Sequence, residues 1–188
     1  PGHVERYNPV TLEAKEVVNF KPHGSAQSYN FTRTSEKPQR VKDDLVIDKL
    51  IHDLDLIQGI FGNFDISDIQ VKKKGQEVQE CLVSTQHKDG LQGKILSSWL
   101  IAKKERTLHI DFEKAVFKGD FIEKNIHLER RKEFPKEIIG YQNNQIKDLV
   151  ADFIAFIHQP IPTMVKMEDA YQSAIAIDLI NRRILNEI

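Results

Sequence analysis

From Asp44 to Gly62 the apolar residues recur in steps of three and four. Ile47, Leu50, Ile51, Leu54 and Ile57 fall on one face at about 100° per residue, which predicts a helix stopping near Gly59 and Gly62. Asp48, His52 and Asp55, four and three residues apart, line up at the margin of that face, and Lys49 and Asp53 take the far, solvated side. Upstream, Tyr7 to Asn19 reads as a helix with Pro9 near its start, broken by Lys21-Pro22-His23-Gly24. Ser25 to Thr34 then alternates as a half-buried strand, with Ala26, Ser28, Asn30 and Thr32 opposed to Gln27, Tyr29, Phe31 and Arg33.

From Ile66 the period changes to two. Strand-length runs follow one another as far as Phe134, with Lys88-Asp89-Gly90, Lys103-Lys104-Glu105 and Lys118-Gly119-Asp120 as the expected hairpin connections. After Pro135 the helical period returns in "NNQIKDLVADFIAFIHQ". Pro160 and Pro162 end that helix, and "KMEDAYQSAIAIDLINRRILNEI" forms the last one, with Glu168 and Asp169 in its first turn and Arg182 and Arg183 near its end. The order is helix, strand, helix, five or six strands, then two helices. That order predicts an α+β fold: an open, mostly antiparallel sheet with helices packed on one face and the other face available for oligomerisation. The strand at Ser25 has to join the later strands across a helix, so the sheet is mixed there. Leu91, Ile95, Ser97, Trp99 and Ile101 share one side of a strand and Leu96, Ser98 and Leu100 the other. Both sheet faces thus read as partly apolar, the pattern of a homodimer or homotetramer built through the sheet.

Composition narrows the function classes. The 188 residues are 40% hydrophobic and 29% charged, with a net charge of -1, so no global electrostatic pull toward nucleic acid exists. No apolar run approaches the roughly 18 residues of a membrane span. The single cysteine, Cys81, excludes an internal disulfide and suits the cytoplasm. A chain opening on Pro1, without an initiator methionine or a signal-like run, reads as cut from something longer.

Candidate chemistry is sparse. The seven histidines show no ligand spacing; only Asp48, His52 and Asp55 approach a metal set, and a fourth ligand is missing. Lys72-Lys73-Lys74 and Arg130-Arg131-Lys132 read as solvated strand ends that discourage edge pairing. There is no phosphate-cradling glycine loop, and Ser97-Ser98-Trp99 lacks the context of a nucleophile elbow. Asp48 and His52 remain, either as a helix-surface charge pair or as an imidazole oriented by a carboxylate for acid/base work.

Three segments in this order resemble one family. "GHVERYNPV" resembles the R-[FY]-x-P segment at which the dinucleotide-binding half of the glucose-fructose oxidoreductase/inositol dehydrogenase (Gfo/Idh/MocA) family passes to its C-terminal half. "DKLIHDLDLIQGIFG" resembles its D-x-x-x-H helix, and "LVADFIAFIHQPIPTMVKMEDAYQSAIAIDLINRRI" its closing helix pair. The resemblance implies that residues 1–20 end the Rossmann domain and link it to a C-terminal substrate-binding and oligomerisation domain at 21–188. It implies an NAD(P)-dependent oxidoreductase acting on a sugar, nucleotide sugar or polyol, with NAD or NADP held by the full-length protein and none by this chain. His52 would be the acid/base and Asp48 its orienting partner, with Arg6, Asn8, Arg33 and Asp55 near substrate or cofactor and Arg33 able to meet a phosphate. Glu36-Lys37-Pro38 spells the family's E-K-P on the wrong side of the R-[FY]-x-P segment, so Lys37 is expected on a surface loop and the catalytic lysine elsewhere. Lys49 stands where an apolar residue, often Met, is expected. The alternative is a stand-alone assembly or ligand-binding module that keeps the fold without catalysis.

Overall fold

A computed structural model describes residues 2–130, 136–139, 142–159 and 164–186; Pro1, Arg131, Lys132, Pro135, Pro160 and Pro162 lie outside them. A short 3-10 turn, Val4–Tyr7, leads into α1, Pro9–Phe20. Strand β1 spans Ala26–Thr34. A π-helical turn, Val46–Leu50, runs directly into α2, Ile51–Phe61. Then come β2 (Asp65–Lys74), β3 (Glu77–Gln86), β4 (Gln92–Ser98), β5 (Glu105–Phe112), β6 (Ala115–Asp120), β7 (Asn125–Arg130) and β8 (Lys136–Ile139). Helices α3 (Gln145–His158) and α4 (Met167–Asn186) close the chain.

The strands form one eight-stranded open sheet in the order β2-β3-β4-β1-β5-β6-β7-β8. β1 lies beside β4 in parallel, Phe31 opposite Ile95, and beside β5 antiparallel, Phe31 opposite Leu108. Every other neighbouring pair is antiparallel. The α+β, mixed-sheet expectation is therefore met, and the one parallel pair sits where the crossover through α2 requires it.

Three local expectations give way. β4 and β5 flank β1, so Lys103-Lys104 lies in a connection passing the end of β1, with Glu105 opening β5, rather than in a hairpin. Because β4 ends at Ser98, Leu100 and Ile101 lie exposed in that connection. Lys118-Gly119-Asp120 is strand, not turn: a Cβ at Gly119 would strike Val10 of α1, so this glycine admits a helix rather than reversing the chain. The reversals on either side of β6 are Glu113-Lys114 and residues 121–124.

One sheet face is buried under the helices. Tyr29, Phe31, Val83, Ile95, Leu108, Ile110, Phe112 and Phe117 are nearly solvent-free, and Leu50, Leu54 and Ile57 meet them from above. The π turn and α2 lie under α1 and α4, which explains why Asp53 through Ile57 are buried without a break. Apolar side chains on the open face are represented by Leu82 and Leu96, paired neighbours that are half-buried. Across its middle runs a polar row in register, Asp68, Ser84, Lys94, Asn30, His109, Lys118 and His127. The open face is thus more polar than the alternation of β4 suggested. α3 buries none of its side chains, leaving Phe153 and Ile157 on its apolar stripe exposed. Among the described residues no helix is long and apolar enough to cross a membrane.

Candidate functional site

The start of the central helix decides which side chains reach the surface. Asp44 anchors it, its carboxylate accepting from Val46 N at 2.9 Å and from Val78 N of β3 at 3.2 Å. The wider π turn that follows takes in more residues per revolution than an α-turn, so the side chains before Ile51 are rotated relative to a uniform 100° wheel. Ile47, expected inside, is 45% exposed, while Lys49 and Asp53, expected on the solvated side, are 4% and 2% exposed. The predicted far side in fact faces the sheet.

Both inward charges are fully partnered. Asp53 accepts from Arg33 Nη1 at 3.0 Å and from Ser97 Oγ at 2.7 Å. Lys49 Nζ donates to Ser35 Oγ at 2.8 Å and to the Ser98 carbonyl at 3.1 Å, and lies 5.8 Å from the centre of the Trp99 ring. Burial, reinforced by the nearby Arg33 charge, pulls the Lys49 ammonium down to about 8. Lys37 pairs with Glu77 of β3 and lies over the Trp99 ring, 4.7 Å from its centre, which ties down the loop that carries Glu36-Lys37-Pro38.

Arg6, Asn8 and Asp55 are turned to the interior. Arg6 grips Asp55 with Nε at 3.1 Å and Nη2 at 2.6 Å, donates again to the Asp55 carbonyl, and reaches Asp169 of α4 with Nη1 at 3.1 Å. His3 Nδ1 adds a contact to Asp55 at 2.5 Å. Burial alone would raise the Asp55 carboxyl, but the hydrogen bonds from His3 and Arg6 outweigh it and hold the group below the usual carboxylate range. Gly59 makes room, because a Cβ there would come within 2.9 Å of Arg6 Nε. Asn8 caps α1, accepting from Val10 N at 3.0 Å and donating to the Phe121 carbonyl at 3.2 Å. These three residues pin the segment before α1 to α2, α4 and the sheet, and none lines the cleft described next.

Asp48 and His52 remain outside this network. Asp48 is half-buried, His52 is exposed, and among the described residues no hydrogen bond or ion pair joins them. The helix-surface charge pair is therefore not formed. Although exposed, the His52 ring is partly desolvated by the protein around it. Burial first, and Arg33 next, lower its affinity for a proton, so it stands as the neutral base at pH 7. Asp48 opens onto a cleft of about 410 Å³ at the ends of β1 and β5, lined also by Arg33, Arg40, Lys49, Lys104 and Arg106. The arrangement can receive a hydroxyl-bearing small molecule at Asp48 with an unprotonated imidazole one turn away. Sequence reading missed Arg40, after β1, and Lys104 and Arg106, on either side of the start of β5, which only the sheet order unites. No group of three or more His, Cys, Asp or Glu among the described residues is placed to hold a metal.

No protein-family model matches the chain, and no curated protein matches its sequence. Solved structures do share its fold. UDP-N-acetylglucosamine 3-dehydrogenase GnnA from Acidithiobacillus ferrooxidans superposes with a TM-score of 0.79 at 18% identity, over 94% of this chain and 58% of that one. Levoglucosan dehydrogenase, solved with NADH, gives 0.82 at 13% identity over 99% and 63%. An oxidoreductase from Agrobacterium radiobacter, solved with NAD+, L-tartaric acid and magnesium, gives 0.79 at 11% identity over 92% and 58%. At these identities the likeness is one of fold, and the chain spans about six-tenths of the length of the structures it matches.

Proposed function

We propose that this chain is the substrate-binding half of an NAD(P)-dependent oxidoreductase that acts on a hydroxyl of a sugar, nucleotide sugar or polyol. The observation that carries the reading is His52: an exposed imidazole, neutral at pH 7 and without a hydrogen-bond partner among the described residues, one helical turn from Asp48, which itself lines a cleft of about 410 Å³. The cofactor is assigned to a dinucleotide-binding domain outside this chain, as in the Gfo/Idh/MocA family that the sequence resembles. When bound, it supplies the hydride acceptor. This chain's part is positional and protonic: Asp48 holds a substrate hydroxyl by accepting a hydrogen bond, and His52 takes the proton from the hydroxyl being oxidised. Lys49 and Asp53 keep the helix fixed on the sheet so that the pair presents a constant geometry.

The reading is tested by screening sugars and polyols for NAD(P)+ reduction with a longer protein that includes a dinucleotide-binding domain, beside this chain alone. Reduction by the longer form only is expected. No reduction with any substrate would favour the assembly-module alternative. We further propose that the open sheet face pairs copies of the chain as a homodimer or homotetramer; a monomer by light scattering at high micromolar concentration would contradict it.

A further inference from the structure

The chain as a whole is balanced, with 27 Lys and Arg against 28 Asp and Glu, but the cleft beside Asp48 is not. Five cationic side chains line it, Arg33, Arg40, Lys49, Lys104 and Arg106, against Asp48 and Glu105. Some of that charge is spent internally. Arg106 pairs with Glu5, and Lys49 is held by Ser35 and the Ser98 carbonyl. Arg33 commits only Nη1, to Asp53 and the Lys49 carbonyl, which leaves its Nε and Nη2 donors free of hydrogen bonds among the described residues. Arg40 and Lys104 form no ion pair with any described residue. They arrive from two different connections, the one after β1 and the one before β5.

Three cations with donors to spare, gathered at one concave site in a chain that is otherwise neutral, suit a ligand that brings its own negative charge. A neutral sugar would leave them to water. We propose that the cleft recognises an oxyanion carried by the substrate, a sugar phosphate or a sugar acid, through Arg33, Arg40 and Lys104. This rests on the cleft being the substrate side of the reaction and narrows the substrate class. A guanidinium fork matches the spacing of two carboxylate or phosphate oxygens, and Arg33 is braced by Asp53 with its remaining donors unengaged. Asp48, an anion at the same cleft, then disfavours an oxyanion at its own carboxylate and leaves that place to a hydroxyl.

The test is calorimetric titration of the chain with glucose 6-phosphate, glucuronate, glucose and inorganic phosphate, for the wild type, Arg40→Gln and Lys104→Gln. Both substituted residues sit on connections at the surface, and circular dichroism confirms that each variant folds. Expected is binding of glucose 6-phosphate or glucuronate at least about tenfold tighter than glucose, weakened several-fold by either substitution and by added salt. The stronger of the two charged sugars identifies phosphate or carboxylate as the group recognised. Equal affinity for all three sugars, or charged-sugar affinity unchanged in both variants, would overturn the proposal. A His52→Ala variant of the longer protein, assayed for turnover, separates this from the oxidoreductase reading. If it loses turnover while charged sugars bind no better than glucose, only the oxyanion site falls; if it keeps turnover while they bind tightly, only the catalytic assignment falls.

Discussion

Replacing Lys49 by Met removes a buried ammonium from beneath the central helix and puts an apolar chain of similar length in its place. The side chain is 4% exposed, and burial with the Arg33 charge brings its proton affinity from the ordinary 10.5 to about 8. At 1.36 kcal/mol per pKa unit, holding the charged form inside costs about 3 kcal/mol relative to water. Against this, Met abandons the bonds to Ser35 Oγ and the Ser98 carbonyl, each worth about 1.5–3 kcal/mol when the donor is charged. Near pH 7 the two effects are of similar size, so the stabilities should differ little. The pH dependence separates them. Between about 8 and 10.5 the unfolded chain keeps the lysine proton and the folded chain has shed it, so wild-type stability rises with pH across that window. From pH 7 to 9.5 the lysine should contribute a gain of about 2 kcal/mol that Lys49→Met lacks. Urea denaturation of both proteins across that range reads the difference directly, since the other titrating groups are common to both. Parallel profiles would refute the reasoning and mean that Lys49 stays protonated in the folded protein throughout.

Other expectations are simpler to check. Asp55→Ala leaves the buried Arg6 and the half-buried His3 beside an empty site and should cost about 3–5 kcal/mol by chemical denaturation; a loss below about 1 kcal/mol would show that the pair is not the pin it is taken for. Gly93→Ala would drive its Cβ into the Tyr29 ring, which is stacked on Phe61 at 4.3 Å and hydrogen-bonded to Thr85 at 2.6 Å, so it cannot step aside. Overpacking of this kind should cost about 1–3 kcal/mol, whereas unchanged stability would mean that the ring moves freely. For the longer enzyme, kcat/KM should fall on the acid side with an apparent pKa below 6.5, because burial and Arg33 disfavour the His52 imidazolium; an acid limb at 7 or above would assign the proton transfer to another group.

The central helix, the crossover strand and the closing helices were legible because each rests on a long, consistent period. The mixed sheet was legible too, since Ala26–Thr34 has to join strands that follow a helix, and it does so parallel to β4. What escaped did so for local physical reasons. A π turn has no sequence signature at this length, so the wheel placed Lys49 and Asp53 in water when they face the sheet. The Glu113-Lys114 reversal contains no glycine, proline or asparagine, and Gly119 imitates a turn while making space for Val10. Asp48 and His52 were singled out by spacing, and the structure leaves them accessible. Arg6, Asn8 and Asp55, which the resemblance puts near substrate or cofactor, are held by internal bonds that no sequence pattern announced, Arg6 to Asp55 and α4 and Asn8 to the Phe121 carbonyl. The cationic lining of the cleft was invisible because Lys104 is some sixty to seventy residues from Arg33 and Arg40 in sequence and meets them only through the pairing of β5 with β1.

The most direct test of the central claim is steady-state turnover and dinucleotide affinity of His52→Ala beside the wild type, in the longer protein and with any sugar found to be oxidised. If His52 takes the substrate proton, turnover should fall by about 10²–10⁴-fold, the usual worth of a positioned acid/base group, while NADH affinity stays nearly intact. Unchanged turnover would contradict the assignment of this cleft as the site of chemistry.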